Sequence, residues 1–224
     1  MNQYTPTRTA SGTRRAREVV GDHVLRLRRC TRAFELEDFA VVHGLNAPDD
    51  FARYVSALRA IAGVDLAAFR ALHFAQRQMD PAFVARANHG PRVRLWCAGT
   101  VPRFTVARPG AAVLWRDNHP PAHAVTTEAQ AAQSAALQAI WLAGRVLGQS
   151  GWDAGTLRLT VERSHGIALV ELHRAALAVN LLLELATDPI DNPASRKTGT
   201  RTVHWHHSDP TALLDLVELP KKLP

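Results

Sequence analysis

Between Asp80 and Asp117 the chain has no acidic residue, and Arg86, Arg92, Arg94, Arg103, Arg108 and Arg116 alternate there with Phe83, Trp96, Phe104 and Trp115. A second acid-free stretch, between Asp191 and Asp209, holds Arg196, Lys197 and Arg201 and runs into His204, Trp205, His206 and His207. Guanidinium forks bind phosphates and aromatic rings stack on unpaired bases, so the pattern suits a nucleic-acid surface. The N-terminus adds to it: residues 1–32 carry eight arginines against Glu18 and Asp22, and most of the formal +7 charge sits there. One candidate nucleic-acid set is therefore Arg14, Arg15, Arg17, Arg86, Arg92, Arg94, Arg103 and Arg108. The competing explanation is compositional. Arginine outnumbers lysine 24 to 3, which a GC-rich genome produces without any ligand.

Other chemistry finds little to work with. His204 and His206 would share one side of a strand, and His119 and His123 bracket Pro120-Pro121, yet neither pair comes with the further ligands a zinc site gathers. Gly148-Gln149-Ser150-Gly151 follows a helical pattern, whereas a nucleophile elbow follows a strand. No phosphate-loop or dinucleotide fingerprint is present. Glu37-Asp38 and Asp49-Asp50 are the adjacent carboxylate pairs, and helix capping accounts for the second. The expectation is a protein without a catalytic site, metal or cofactor. Cys30 and Cys97 are too few for a disulfide framework, which points to the cytoplasm, and no apolar run is long enough to span a bilayer.

The elements that must position these residues read as an α+β chain, with an antiparallel sheet packed on a long central helix. Residues 1–17 lack apolar periodicity and read as a basic mobile arm. Residues 23–29 and 33–42 read as short strands, because Leu25 and Leu27 alternate with Arg26 and Arg28. Pro48, Asp65 and Asp80-Pro81 each open a helix, and Gly63 ends the first of them. Strands are expected at 92–96, 101–107, 111–115 and 122–125. Thr127 and Gln130 form a capping box for a helix reaching about Leu147. Leu157–Glu162 and Ile167–Leu172 read as a hairpin turning at Arg163-Ser164-His165-Gly166. Residues 175–186 fit either a buried strand that passes into a helix or one helix throughout. A last strand is expected at 201–206 and a helix after Ser208-Asp209-Pro210. The organisation that results is an arm to 17, strands and short helices over 18–90, an α/β region over 91–188, and a C-terminal segment over 189–224.

Across residues 110–187 the order of elements resembles the roadblock domain. The pieces that carry the likeness are 110–118 (Gly-Ala-Ala-Val-Leu-Trp-Arg-Asp-Asn), Leu157–Glu162 and 166–170 (Gly-Ile-Ala-Leu-Val). The resemblance implies a non-enzymatic homodimer that scaffolds complexes or regulates a small Ras-like GTPase. The residues themselves add that 129–144 contains no charge, so its helix needs cover on several faces. Ala136, Ile140, Trp141 and Leu147 are its candidate partner contacts. The leading functional expectation is thus a regulatory or scaffolding protein working through protein contacts, with nucleic-acid binding as the alternative.

Overall fold

The computed structural model describes residues 7–108, 110, 112–188, 190–196 and 201–207. The chain is α+β, a run of helices followed by a five-stranded mixed sheet. The helical half comprises α1 (Thr7–Asp22), α2 (Val24–Arg29), α3 (Ala33–Val42), α4 (Pro48–Ala57), a π-helical turn at Leu58–Ala62, α5 (Leu66–Arg77) and α6 (Pro81–His89). The sheet half comprises β1 (Arg92–Thr100), β2 (Arg103–Ala107), β3 (Val113–Asn118), α7 (Glu128–Gln149), β4 (Gly155–Val161), α8 (Leu169–Ala178), β5 (Leu181–Thr187) and α9 (Pro193–Arg196).

Helix starts follow the capping chemistry. Pro48 occupies the first turn of α4 beside Asp49 and Asp50. The Asp65 carboxylate accepts the backbone N–H groups of Ala67 and Ala68, and the Asp80 carboxylate accepts that of Ala82. At α7 the Thr127 hydroxyl accepts from Gln130 N–H while the Gln130 side chain accepts from Thr127 N–H. Gly63, at φ +66°, terminates the π-helical turn in a conformation that disfavours any Cβ.

Three readings of the N-terminal region are corrected. Residues 23–29 and 33–42 are helices α2 and α3, not strands. The Leu25/Leu27 alternation misleads because only Leu27 is buried, while Leu25 is 46% exposed. In α3, Leu36, Phe39 and Ala40 are buried at helical spacing, and the Glu35 carboxylate closes the start by accepting from Thr31 and Arg32 N–H. From Thr7 onward the expected arm is helix α1, seated in the core by Ala16 and Val20, one helical turn apart.

The sheet order is β3-β2-β1-β4-β5. β1, β2 and β3 form an antiparallel meander, while β4 pairs parallel with both β1 and β5. The expected hairpin of 157–162 with 167–172 does not form. Ile167, Leu169, Leu172, His173 and Ala176 are buried at helical intervals, so the chain after β4 enters α8 and returns as the parallel strand β5. Residues 175–186 resolve into the end of α8, a reversal at Asn180 (φ 58°), and β5. Residues 121–123 form a 3-10 turn where a strand was expected. Over 201–206 the strand expectation reduces to one antiparallel bridge, Arg116 with Val203, before a turn at Trp205–His207. The helix expected after Ser208 lies outside the described residues.

One hydrophobic core runs from Ala16 through both halves to Trp205. α7 lies across the sheet, so close that a Cβ on Gly99 would run into the Ala131 carbonyl oxygen. The helical half is tied to the sheet half at Gly63, whose carbonyl accepts the backbone N–H groups of Ser164 and His165, each at 3.1 Å. The Arg28 guanidinium donates to the carbonyls of Ile61 and Ala62 beside it. Gln76, from α5, donates to the Leu183 carbonyl of edge strand β5. No helix among the described residues is long and apolar enough to cross a membrane.

Candidate functional site

The sheet has two unlike faces. Gly99 marks the one covered by α7, and strand alternation puts Arg92, Arg94, Trp96 and Ala98 on the other. Over Ala98 that second face is roofed by the four-residue helix α9, where Ala194 packs on Ala98 and Ala107. Asn192 anchors the roof: its Nδ2 donates to the Cys97 carbonyl and its Oδ1 accepts from Ala194 N–H, both at 2.9 Å. At the other end α6 covers the face, where the Thr156 hydroxyl donates to the Ala87 carbonyl, and among the described residues two clefts lie between these covers.

The first cleft, of about 310 Å³, is lined by Arg29, Arg94, Trp96, Arg158, Thr160, Ala186, Thr187 and Asp188. Arg94 on β1 is the register partner of Arg158 on β4, and both are exposed. Like charges on adjacent strands repel. Neither guanidinium has an ion pair or hydrogen bond among the described residues. Arg92, on the same face, reaches over β4 to Glu184 at 3.6 Å, and Arg29 meets Asp191 at 4.0 Å. Trp96 is half-buried next to Arg94 along β1.

The second cleft, of about 280 Å³, opens where β1 and β4 end and their chains depart in opposite directions, β1 to β2 and β4 through α8 to β5. Such a switch point at strand carboxyl ends is where open α/β sheets hold ligands. A row of four side chains crosses it: Arg116 pairs with Thr105, Thr105 with Ala98, and Ala98 stands beside Glu162, one residue past the Cys97–Val161 pair. Arg116 is only 6% exposed; its Nε donates to the Thr105 hydroxyl at 3.2 Å, and burial together with neighbouring Arg103 lowers its pKa.

Three buried side-chain atoms among the described residues lack a hydrogen-bond partner: His173 Nδ1, Thr187 Oγ1 and Ser195 Oγ. Thr187 lines the first cleft and Ser195 the second. Strand alternation turns the Thr187 side chain to the Val161 side of the sheet, so of the three it is the Ser195 hydroxyl that stands at a cleft.

No protein family, curated protein or solved structure matches this chain. Its residues therefore carry the functional argument alone.

Of the arginines singled out from sequence, Arg92, Arg94 and Arg103 share the α9 side of the sheet, because Thr100 pairs with Arg103. Arg86 is exposed on α6, and Arg108 is half-buried just past β2. Arg14, Arg15 and Arg17 are exposed on α1, which packs mainly on α4, and Arg15 donates to the His43 carbonyl. Arg158, Thr105 and Glu162 complete the two clefts without having been candidates. The outward alternation of Arg158, Thr160 and Glu162 against Leu157, Leu159 and Val161 is the one visible signal for Arg158 and Glu162, and Thr105 has none.

Of the four residues expected to touch a partner, Ala136, Ile140 and Leu147 are buried in the chain's own core, and Trp141 is 43% exposed. The uncharged helix finds its cover within the chain, under the sheet, α8 and the Trp205 ring, which stands 5.6 Å from Trp141. His119 and His123 both approach the Ser134 hydroxyl, and His119 Nε2 lies 2.8 Å from the Thr100 carbonyl. That fixes His119 Nε2 as a donor and makes the trio a loop clamp. Burial pushes the Cys30 thiol up to about 11 and the Cys97 thiol higher, so neither is a ready nucleophile.

Proposed function

We propose that the protein binds nucleic acid across the open face of its sheet. The observation that carries this reading is the Arg94–Arg158 pair: two exposed guanidinia in register, neither in an ion pair or hydrogen bond among the described residues, with Glu184 in register with Arg158 on its other side. Neighbouring strands stand about 4.8 Å apart, so the two forks can share one phosphate or take successive ones. Arg92 and Arg29 flank the pair, each beside an acid (Glu184 and Asp191), and Trp96 offers a ring edge or face to an unpaired base. Phosphate contact relieves the repulsion that the strand register imposes.

Fluorescence anisotropy with labelled single-stranded and duplex oligonucleotides at several salt concentrations tests the reading. Removing both guanidinia, Arg94→Ala with Arg158→Ala, should weaken binding and flatten the log K against log salt slope by roughly 1.4–1.8 if each neutralises one phosphate. Arg14→Ala with Arg17→Ala on α1 serves as the control and should leave the slope nearly unchanged. Absence of binding at low salt, or an unchanged slope in the first pair, refutes the proposal.

A second reading, contact with a protein partner or a second copy, draws on Trp141, the exposed member of the line Trp115–Trp141–Trp205. Light scattering at micromolar concentration tests self-association, and a monomer in both wild type and Trp141→Ala removes the homodimer.

A further inference from the structure

The second cleft has chemistry of its own. Across its row the side chains run from cation to hydroxyl to methyl to carboxylate, over three strand spacings of about 14 Å. Arg103 joins Arg116 at the cationic end. Two guanidinia there match a charge near −2 better than the single charge of a diester. Ala98 lies between the Arg116 and Glu162 ends and, with Ala194 of the α9 roof packed on it, forms the narrow middle of the cleft. Glu162 would repel a phosphate beside it and is suited to accept hydrogen bonds from hydroxyl or amine groups. Ser195 supplies a buried hydroxyl without a partner. The volume, about 280 Å³, is at the small end of ligand pockets and suits one nucleotide rather than a polymer.

We propose that this cleft binds a phosphomonoester, with the phosphate at Arg103 and Arg116 and a hydroxyl- or amine-bearing body reaching toward Glu162. The ligand has two possible sources, a free nucleoside monophosphate or the phosphorylated end of a strand. The site is distinct from the open-face track and does not require it.

Calorimetric titration of the full chain separates the alternatives, using adenosine and cytidine monophosphates, the parent nucleosides and inorganic phosphate. The monophosphates should bind about tenfold or more tighter than the nucleosides, the gain expected of charge-assisted hydrogen bonds. Affinity should fall as pH drops below about 6, where the phosphate takes its second proton. Arg103→Gln, at a half-buried position, should erase that preference, and Glu162→Gln should bring the monophosphates toward inorganic phosphate. Ala98→Val, checked by circular dichroism, should block the cleft and leave the open-face salt slope intact.

Oligonucleotides with and without a 5′-phosphate, offered to the Arg94→Ala/Arg158→Ala protein, assign the source. A preference for the phosphorylated strand identifies a strand end. No preference, with monophosphates still bound, identifies the free nucleotide. The proposal falls if nucleosides bind as well as monophosphates, if inorganic phosphate binds as well as either, if Arg103→Gln leaves the preference unchanged, or if nothing binds at millimolar concentration. Failure of oligonucleotide binding alone would remove the open-face reading and leave this one standing.

Discussion

Arg94 and Arg158 face one another from adjacent parallel strands, both exposed, on the side of the sheet away from α7. Their repulsion opposes stability, in part offset by Glu184 in register with Arg158, and an anion between the two arginines would relieve the rest. Arg94→Thr, which removes one like charge and leaves the Arg158–Glu184 register pair in place, should therefore stabilise the free protein at low salt by about 0.2–1 kcal/mol, the scale of a cross-strand pair, and the gain should shrink as salt screens the repulsion. The same variant should lose affinity for oligonucleotides. Urea midpoints at two ionic strengths, beside a binding titration, check both halves. A variant that loses stability while keeping its affinity contradicts the account.

Gly99 marks how closely α7 lies on β1. A Cβ there meets the Ala131 carbonyl oxygen and carbon, backbone atoms that cannot turn aside. Gly99→Ala should cost about 1–3 kcal/mol, the range for overpacking, read as a lower denaturant midpoint with the slope unchanged. Gly148 is the contrast, lying on the same helix with nothing within 4 Å of a built Cβ. Gly148→Ala should gain up to about 1 kcal/mol through helix propensity.

Asp65 makes α5 sensitive to acid. Burial pushes its carboxyl up, but the Ala68 N–H, Arg59 and His165 outweigh that and hold it below the ordinary 3.8. A carboxyl lowered on folding stabilises the protein above its unfolded pKa, and the contribution disappears as pH falls through the folded value. Asp65→Ala should cost about 1 kcal/mol at neutral pH, as for other N-caps, and the difference from wild type should close below pH 3.8. Thermal unfolding of both proteins across the acid range is the check.

His173 acts in a different window. It is 2% exposed, and burial lowers its pKa from 6.5. Below pH 6.5 the unfolded chain binds this proton while the folded chain resists it, so stability should fall as pH drops from 6.5 toward the folded value. His173→Leu should flatten that decline. His43, also lowered by burial and by neighbouring His23, should leave some slope in the variant. Equal slopes in the two proteins would place the titration elsewhere.

How legible these features were depends on how local their causes are. Pro48, Asp65, Asp80 and the Thr127–Gln130 box act within four residues, and each helix they announce is present. The direction of pairing is not local. Leu157–Val161 shows its half-buried alternation, but nothing in those residues says that β4 will align with β1, some sixty positions earlier, rather than turn back on Ile167. The Leu25/Leu27 spacing misleads for a related reason: two leucines two apart fit a strand, and the elements that α2 packs on are α1, the π-helical turn and β5, distant in sequence or not yet folded around it. The second cleft was hidden most completely, because Arg116, Thr105 and Ala98 come from three strands, Glu162 lies just past the end of a fourth, and they meet only through register.

The bonds that the Gly63 carbonyl accepts from Ser164 and His165 couple parts of the chain a hundred residues apart, and the Arg28 guanidinium closes over the same corner. Fraying the π-helical turn would free the segment that leads from β4 into α8, and loosening that segment would undo the end of the turn. Melting should thus be all-or-none, with calorimetric and van't Hoff enthalpies in agreement, and near- and far-ultraviolet dichroism should follow a single curve. The helical half is then no detachable appendage. A protease that cuts between the halves should release no fragment able to refold alone.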